Sequence, residues 1–136
     1  MKRSLIVLGV AVLIGCQTVP TEIPEDLTQA ELIQQAQESA DQENWEAAIA
    51  YYSAIVERFP QDRAATATAR YEIAFIEYKR GNLDEAEAGL LELIGMYDFE
   101  AQSLPAWPRV LARRVLEVIE EERDAQTPEA AATAEE

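Results

Sequence analysis

The stretch that decides the fold is NWEAAIAYYSAIVERF, residues 44–59, which returns in altered form 38 residues later as NLDEAEAGLLELIGMY, residues 82–97. Each copy opens on an asparagine and carries apolar residues at intervals of three and four, with a small residue at the same place, Ala48 or Ala86. This spacing puts the apolar residues on one face of an α-helix. The sequence therefore predicts two equivalent helices that belong to a longer repeating unit.

Three further helical segments surround this pair. Capping boxes are predicted at Thr28 with Glu31 and at Asn82 with Glu85, and Gly81 suits the left-handed conformation that ends a helix. The three segments are predicted over residues 28–41, 62–81 and 108–123. No segment shows the period-two alternation of a half-buried strand, so the sequence predicts an all-α fold.

The 38-residue shift also relates the first, third and fifth segments, because it superposes Ala36 on Ala74 and Ala74 on Ala112. Two antiparallel helices per unit, with a small residue where they cross, are typical of a helical-hairpin solenoid. We therefore expect about two hairpin units followed by a C-terminal capping helix. A plain antiparallel helical bundle whose alanines coincide by chance is the alternative.

The pattern resembles the tetratricopeptide repeat family over residues 31–123, nearly the whole predicted domain. Tyr52 stands at that family's aromatic position, and Pro60 stands at the proline that closes a unit. The small positions of the family are matched by Ala36, Ala48, Ala74 and Ala86. The sequence departs from the family in two ways: the period is 38 rather than the usual 34 or so, and Asp98 replaces a second closing proline. The longer period is similar to variant repeats of bacterial envelope lipoproteins.

The first residues are typical of an export signal. Lys2 and Arg3 precede an apolar stretch, residues 5–14, which is about half as long as the roughly 20 residues of a membrane-spanning helix. Residues 13–16, LIGC, resemble a bacterial lipobox, which implies removal of a signal peptide of residues 1–15. The same resemblance implies a lipid on Cys16, and no other cofactor is expected. The alternative is an ordinary signal peptide followed by a free thiol.

Composition divides the rest of the chain into three parts. Residues 16–27, which include Pro20 and Pro24, suit a lipidated N-terminus with an extended tether. Residues 28–124 are predicted to form the helical domain. Residues 125–136 are dominated by Ala, Glu, Thr and Pro and are predicted to be a disordered acidic tail.

Several functions are disfavoured by composition. The chain has no histidine and a single cysteine, so we expect neither a metal site nor enzyme activity. A net charge of −15 argues against binding to nucleic acid. The expected partners are an envelope protein or peptide, and the membrane itself through the lipid anchor. Gln17, in place of an aspartate after the cysteine, resembles enterobacterial sorting to the outer membrane, on its periplasmic side.

The family resemblance implies a partner-binding groove on the first helix of each unit. Carried over by position, the groove consists of Tyr71, Phe75, Tyr78, Arg109 and Arg113. Its aromatic side chains would contact a peptide, and its arginines would pair with a carboxylate. In the alternative, the aromatic residues belong to the hairpin core and the arginines are solvated. Trp107 is expected to pack against the fourth helix.

Taken together, these features favour a membrane-anchored, non-enzymatic interaction module or scaffold in the bacterial cell envelope. The competing interpretation is an accessory protein that delivers a small ligand or peptide to an envelope transport system. A deep aromatic pocket between the repeats would favour the accessory protein, whereas a shallow open groove would favour the scaffold.

Overall fold

The computed structural model describes Pro20 and residues 22–126, and these residues form five α-helices. Their bounds are α1 (Gln29–Asp41), α2 (Trp45–Arg58), α3 (Arg63–Lys79), α4 (Leu83–Glu100) and α5 (Ala106–Gln126). No strand occurs in this part of the chain, so the all-α prediction is confirmed. The predicted signal peptide, the lipidation site Cys16 and residues 127–136 of the predicted tail lie outside the described residues.

The two predicted capping boxes have different outcomes. The box at Thr28 is confirmed, because its hydroxyl accepts from the Glu31 amide and the Glu31 carboxylate accepts from the Thr28 amide at 2.8 Å. The box at Asn82 with Glu85 is wrong. The Asn82 side chain instead donates to the carboxylate of Glu77 at 2.6 Å and makes no cap bond.

The turn between α1 and α2 and the turn between α3 and α4 have the same hydrogen bonds, displaced by 38 residues. In the first turn, the amides of residues 42, 43 and 44 donate to the carbonyls of residues 38, 40 and 39; in the second, those of 80, 81 and 82 donate to 76, 78 and 77. Glu43 and Gly81 both adopt a left-handed conformation, with φ of 56° and 81°. The pairs α1–α2 and α3–α4 are therefore equivalent helical hairpins.

Small residues are buried at matching positions of the two hairpins. The alanines at these positions are at most 2% exposed: Ala36, Ala48, Ala74 and Ala86. In the second hairpin, a Cβ at Gly89 of α4 would lie 3.0 Å from the Cβ of Ala74 in α3. A larger side chain at either place would force the two helices apart.

The position of α5 differs from the one that the 38-residue register predicts. The residues of α5 that face α4 correspond to the residues of α3 that face α2, with a displacement of 43 residues. The corresponding pairs are Ala65 and Pro108, Ala69 and Ala112, Ile73 and Leu116, and Ile76 and Ile119. Ala112 is thus the counterpart of Ala69, whereas the sequence register makes it the counterpart of Ala74.

Ion pairs between neighbouring helices agree with this displacement. Arg80 pairs with Glu46 at 2.9 Å, and Arg123 pairs with Asp84 at 2.5 Å, so the carboxylates are 38 residues apart and the arginines 43. The five additional residues have a simple origin. α4 has 18 residues whereas α2 has 14, and the connection from α4 to α5 is one residue longer than the connection from α2 to α3.

The chain before α1 is packed onto the helical body. Ile23 and Leu27 lie against the apolar cluster formed by α1, α2 and α3. The guanidinium of Arg58 donates to the carbonyl of Ile23 at 2.8 Å and to that of Pro24 at 2.7 Å. Residues 23–27, which the sequence assigns to the tether, therefore contact the helical body.

Candidate functional site

Four aromatic side chains form a continuous row across α3 and the start of α5. The rings of Tyr71 and Phe75 stack with centroids 5.7 Å apart, and those of Phe75 and Tyr78 are 6.1 Å apart. Trp107, in the first turn of α5, meets Tyr71 edge-on at 5.5 Å. Residues three and four apart share one face of a helix, which is why α3 can supply three adjacent rings. We call Trp107, Tyr71, Phe75 and Tyr78 the aromatic row.

The end of the aromatic row on α5 is open to solvent. Tyr71 is only 6% exposed, whereas Trp107 is 41% exposed. Leu111, one turn after Trp107, is 42% exposed, and Val110 is 60% exposed. Large apolar side chains grouped on one helix face are more informative than scattered ones, because contiguous apolar surface marks interaction sites. We call Trp107, Val110 and Leu111 the α5 patch.

The other end of the row is held by polar contacts. The hydroxyl of Tyr78 donates to the carboxylate of Glu122 in α5 at 2.8 Å, and this bond raises the pKa of Tyr78. The ammonium of Lys79 lies 5.4 Å from the ring centroid of Phe75 and 4.4 Å from that of Trp45 in α2. These hydrogen-bond and cation–π contacts fix the row relative to the neighbouring helices.

A carboxylate lies next to the row in surroundings that disfavour its charge. Glu72 follows Tyr71 on α3, and burial raises the pKa of Glu72 against the opposing effect of Lys79. Burial also raises the pKa of Tyr52 to about 12, and the charges of Glu72 and Asp41 add to that shift. A cationic group brought close to Glu72 would favour its ionised form.

The structure does not bring the two predicted arginines to the aromatic row. The guanidinium of Arg109 lies over the ring of Tyr97, a buried residue of α4, at 5.1 Å. Arg113 lines a cleft between α4 and α5, together with Leu91 and Leu116. The single face expected for all five groove residues is therefore not formed.

The displacement of α5 explains this separation. Under the 38-residue register, the two arginines take the places of Tyr71 and Phe75. With the observed displacement of 43, they take the places of Thr66 and Arg70. Thr66 is buried, and Arg70 pairs with Glu92 of α4 at 2.6 Å, so these positions face α2 and α4.

Trp107 has an aromatic neighbour on another helix. It packs against Tyr71 of α3, a contact that the sequence does not predict, and it is 41% exposed. Sequence reasoning missed Val110 and Leu111 as members of the surface. The available signal is the spacing of four between Trp107 and Leu111, which puts both on one face once the helix is taken to begin at Ala106.

The described part of the chain contains neither a membrane-spanning helix nor a cluster of metal-binding side chains. None of its helices is both long enough and apolar enough to cross a membrane. Residues 22–126 also contain no group of three or more His, Cys, Asp or Glu side chains placed to hold a metal ion.

Comparison with known proteins identifies a relative of unknown function in Treponema pallidum. No protein-family model and no solved structure matches the chain. An uncharacterized protein of Treponema pallidum (strain Nichols) is 35% identical to it over 98 residues. The alignment covers 71% of this chain and 39% of the relative, so the chain spans about two fifths of the length of the curated relative it matches.

Proposed function

We propose that this protein is a lipid-anchored interaction module of the bacterial cell envelope. In this proposal, a tetratricopeptide-like array of helical hairpins binds a partner protein through the aromatic row and the α5 patch. Lipid on Cys16 holds the domain at the periplasmic face of the outer membrane. The module has no catalytic step of its own.

Two regularities support the tetratricopeptide-like arrangement. The turns at Glu43 and Gly81 have the same hydrogen bonds, and Ala36 and Ala74 occupy matching buried places in the two hairpins. The hairpins also contact their neighbours in chain order, α2 against α3 and α4 against α5. Equivalent hairpins that stack in sequence order are the basis of a solenoid.

The observation that carries the proposal is the exposure of large apolar side chains where α3 and α5 meet. A partner that covered Trp107 and Leu111 would remove apolar surface from water, at about 25 cal/mol per Å². Tryptophan is also enriched among the residues whose truncation most weakens protein interfaces. An exposure of about two fifths at both side chains is consistent with an open groove, the form expected of a scaffold.

The charges of this chain indicate which kind of partner segment it would bind. The chain has a net charge of −15, and Glu72 holds an unfavourably placed carboxylate beside the aromatic row. Arg109 and Arg113 lie against α4, away from the row. We therefore expect a partner segment with apolar side chains flanked by Lys or Arg, rather than the carboxylate-bearing partner that the sequence suggests.

The membrane location is supported by sequence alone. The charged start at Lys2 and Arg3, the apolar residues 5–14 and the lipobox-like residues 13–16 together resemble the leader of an exported lipoprotein. A lipid on the thiol of Cys16 would place the helical domain at a membrane surface without any spanning helix.

The proposed binding surface is tested by truncating its exposed side chains. One full-length variant carries Trp107→Ala with Leu111→Ala, and the matched control carries Phe99→Ala, since Phe99 is 91% exposed and outside the row. Proteins crosslinked to each chain in envelopes are captured and quantified. Loss of a tryptophan anchor costs about 2 kcal/mol or more, so we expect capture of the partner to fall by about 30-fold in the double variant only.

Helix content, measured by circular dichroism, checks that both variants are folded. The edge-on contact of Trp107 with Tyr71 contributes about 0.5–1.5 kcal/mol, which the domain can lose without unfolding. Equal capture by the double variant, the control and the natural chain would rule out the aromatic row and α5 patch as the binding surface.

A further inference from the structure

The groove between α2 and α3 shows how the next helix, α4, is aligned against its neighbours. There α4 borders the groove, and its Gly89 approaches Ala74 of α3 closely. Arg70 of α3 reaches across to pair with Glu92 of α4 at 2.6 Å. An arginine on one helix and a carboxylate on the incoming helix thus fix how the two helices align.

The equivalent groove between α4 and α5 has no helix in it among the described residues. Four of its lining residues are the counterparts of Ser53, Arg70, Ile73 and Ala74, with displacements of 38 residues on α4 and 43 on α5. Those counterparts are Leu91, Arg113, Leu116 and Glu117. The other residues that line it are Glu87, Ile119, Glu120, Arg123 and Asp124. The cleft has a volume of about 570 Å³, and Leu91 at its edge is 54% exposed. We call this cleft, with Glu120, the open groove.

The open groove contains both halves of an ion pair. Arg113, the counterpart of Arg70, has no ion-pair or hydrogen-bond partner within residues 22–126. Glu120 also has none in that part of the chain, and it lies seven residues after Arg113. Seven residues are close to two helical turns, so the two charges share one face of α5 and are about 10 Å apart along it.

We propose that the open groove binds α5 of a second copy of this chain, antiparallel and about a twofold axis beside Leu116. In such a pair, Arg113 of each copy is level with Glu120 of the other, because the two residues lie about 5 Å on either side of the axis. Leu116 and Leu91 supply the apolar centre of the contact. The result is a self-complementary interface of the kind that closes a dimer.

A second copy fits the open groove better than the end of this chain does. Residues 127–136 carry no apolar side chain larger than alanine apart from one proline, so they offer little to cover Leu91 and Leu116. They also contain three glutamates and no basic residue, and therefore have nothing to pair with Glu120. Glu117 of α5 occupies the position that Ala74 occupies in α3. Its larger side chain prevents another helix from approaching α5 as closely as α4 approaches α3. Two copies of α5 can meet at the ordinary helix separation of about 8–10 Å.

Charge exchange tests the proposed pairing. Arg113→Glu sets two glutamates against each other in a homodimer, and Glu120→Arg sets two arginines against each other. Each single variant should therefore self-associate at least about tenfold more weakly than the natural chain. An equal mixture of the two variants should form a heterodimer, because both pairs then combine opposite charges. Glu121→Arg is the matched control, since it makes the same charge change about 100° around the helix.

The measurement is sedimentation of the full chain in detergent, with differently tagged copies to detect mixed dimers by co-purification. The proposal requires that the natural chain and the control dimerise, that each single variant is monomeric at the same concentration, and that the mixture recovers the dimer. A monomeric natural chain overturns it, and so does a mixture that remains monomeric. The result is independent of the proposed partner surface, because Trp107 and Leu111 are unchanged in every variant.

Discussion

The two glycines inside α4 have contrasting surroundings. A Cβ at Gly89 would lie 3.0 Å from the Cβ of Ala74, whereas a Cβ at Gly95 would meet nothing within 4 Å. Alanine is more favourable than glycine in a helix by about 1 kcal/mol. We expect Gly95→Ala to raise the free energy of unfolding by about that amount, and Gly89→Ala to give no gain or a loss. Ala74→Leu should lower it by about 1–3 kcal/mol.

Urea denaturation followed by circular dichroism measures all three variants against the natural chain. Gly95→Ala is the internal control, because it makes the same change on the same helix. Equal stabilisation by both glycine replacements would mean that α3 and α4 do not approach closely at Ala74.

Local patterns predict the ends of helices where the deciding groups lie within one turn. The box at Thr28 with Glu31 is of this kind, and so is the left-handed Gly81. Asn82 fails because its side chain bonds Glu77, a residue of the preceding helix that the box rule does not consider. The preference for glycine in the left-handed conformation predicts Gly81, but it gives no indication that Glu43 also adopts a positive φ.

Among the helices, the length of α4 has the largest effect on the fold. Pro60 follows the end of α2, whereas Asp98 occupies the corresponding place after the second copy of the repeat. Nothing at Asp98 stops a helix, so α4 continues to Glu100, three residues beyond the end of the predicted segment at residue 97. The repeat predicts the helix α4 correctly. Superposing the alanines of the two copies, however, cannot reveal that α4 is one turn longer than α2. That turn, together with one more residue in the connection to α5, moves α5 by five residues relative to the repeat.

The displacement of α5 predicts which of its residues support the core. Ile119 is 1% exposed and takes the place of Ile76, whereas Val110 on the same helix is 60% exposed. Truncating a buried isoleucine to alanine costs about 2–5 kcal/mol, so Ile119→Ala should lower the free energy of unfolding by that amount. Val110→Ala should change it by less than about 0.5 kcal/mol.

Thermal and urea unfolding of the two variants provide the comparison. Under the 38-residue register, the counterpart of Ile76 would be Arg114, which is an exposed residue. A stable Ile119→Ala variant would contradict the displacement of 43 residues.

In the molecule as a whole, one part of the candidate site follows from the sequence and another part does not. Tyr71, Phe75 and Tyr78 are three and four residues apart on one helix, so periodicity alone places their side chains together. Their meeting with Trp107 depends on how α5 lies against α3 and α4, and no local pattern encodes that arrangement. The 38-residue register does not include this arrangement of α5. It therefore places Arg109 and Arg113 on the face of the aromatic residues, whereas in the structure they contact α4 and the cleft between α4 and α5.

In the proposed lipid-anchored form, attachment of the whole protein to a membrane would depend on one thiol. Cys16 is the chain's only cysteine, so Cys16→Ser should abolish incorporation of labelled palmitate and leave either uncleaved precursor or unanchored domain. Cell fractionation of the two forms, with labelled lipid, checks this expectation. Ser53→Ala is a suitable control, because it removes a hydroxyl within the helical domain. Label retained by Cys16→Ser would exclude the proposed anchor.

If Cys16 carries the proposed lipid, the two bonds from Arg58 set how far the helical body can move from it. Because Arg58 holds the carbonyls of Ile23 and Pro24, only residues 17–22 lie between Cys16 and the clamp. A chain extends by at most about 3.6 Å per residue, so the segment between Cys16 and Ile23 spans at most roughly 25 Å. A lipidated protein would therefore search a thin layer next to the bilayer rather than the full depth of the periplasm. Release of residues 23–27, which requires loss of the Arg58 bonds and of the packing of Ile23 and Leu27, would lengthen this segment by roughly 18 Å.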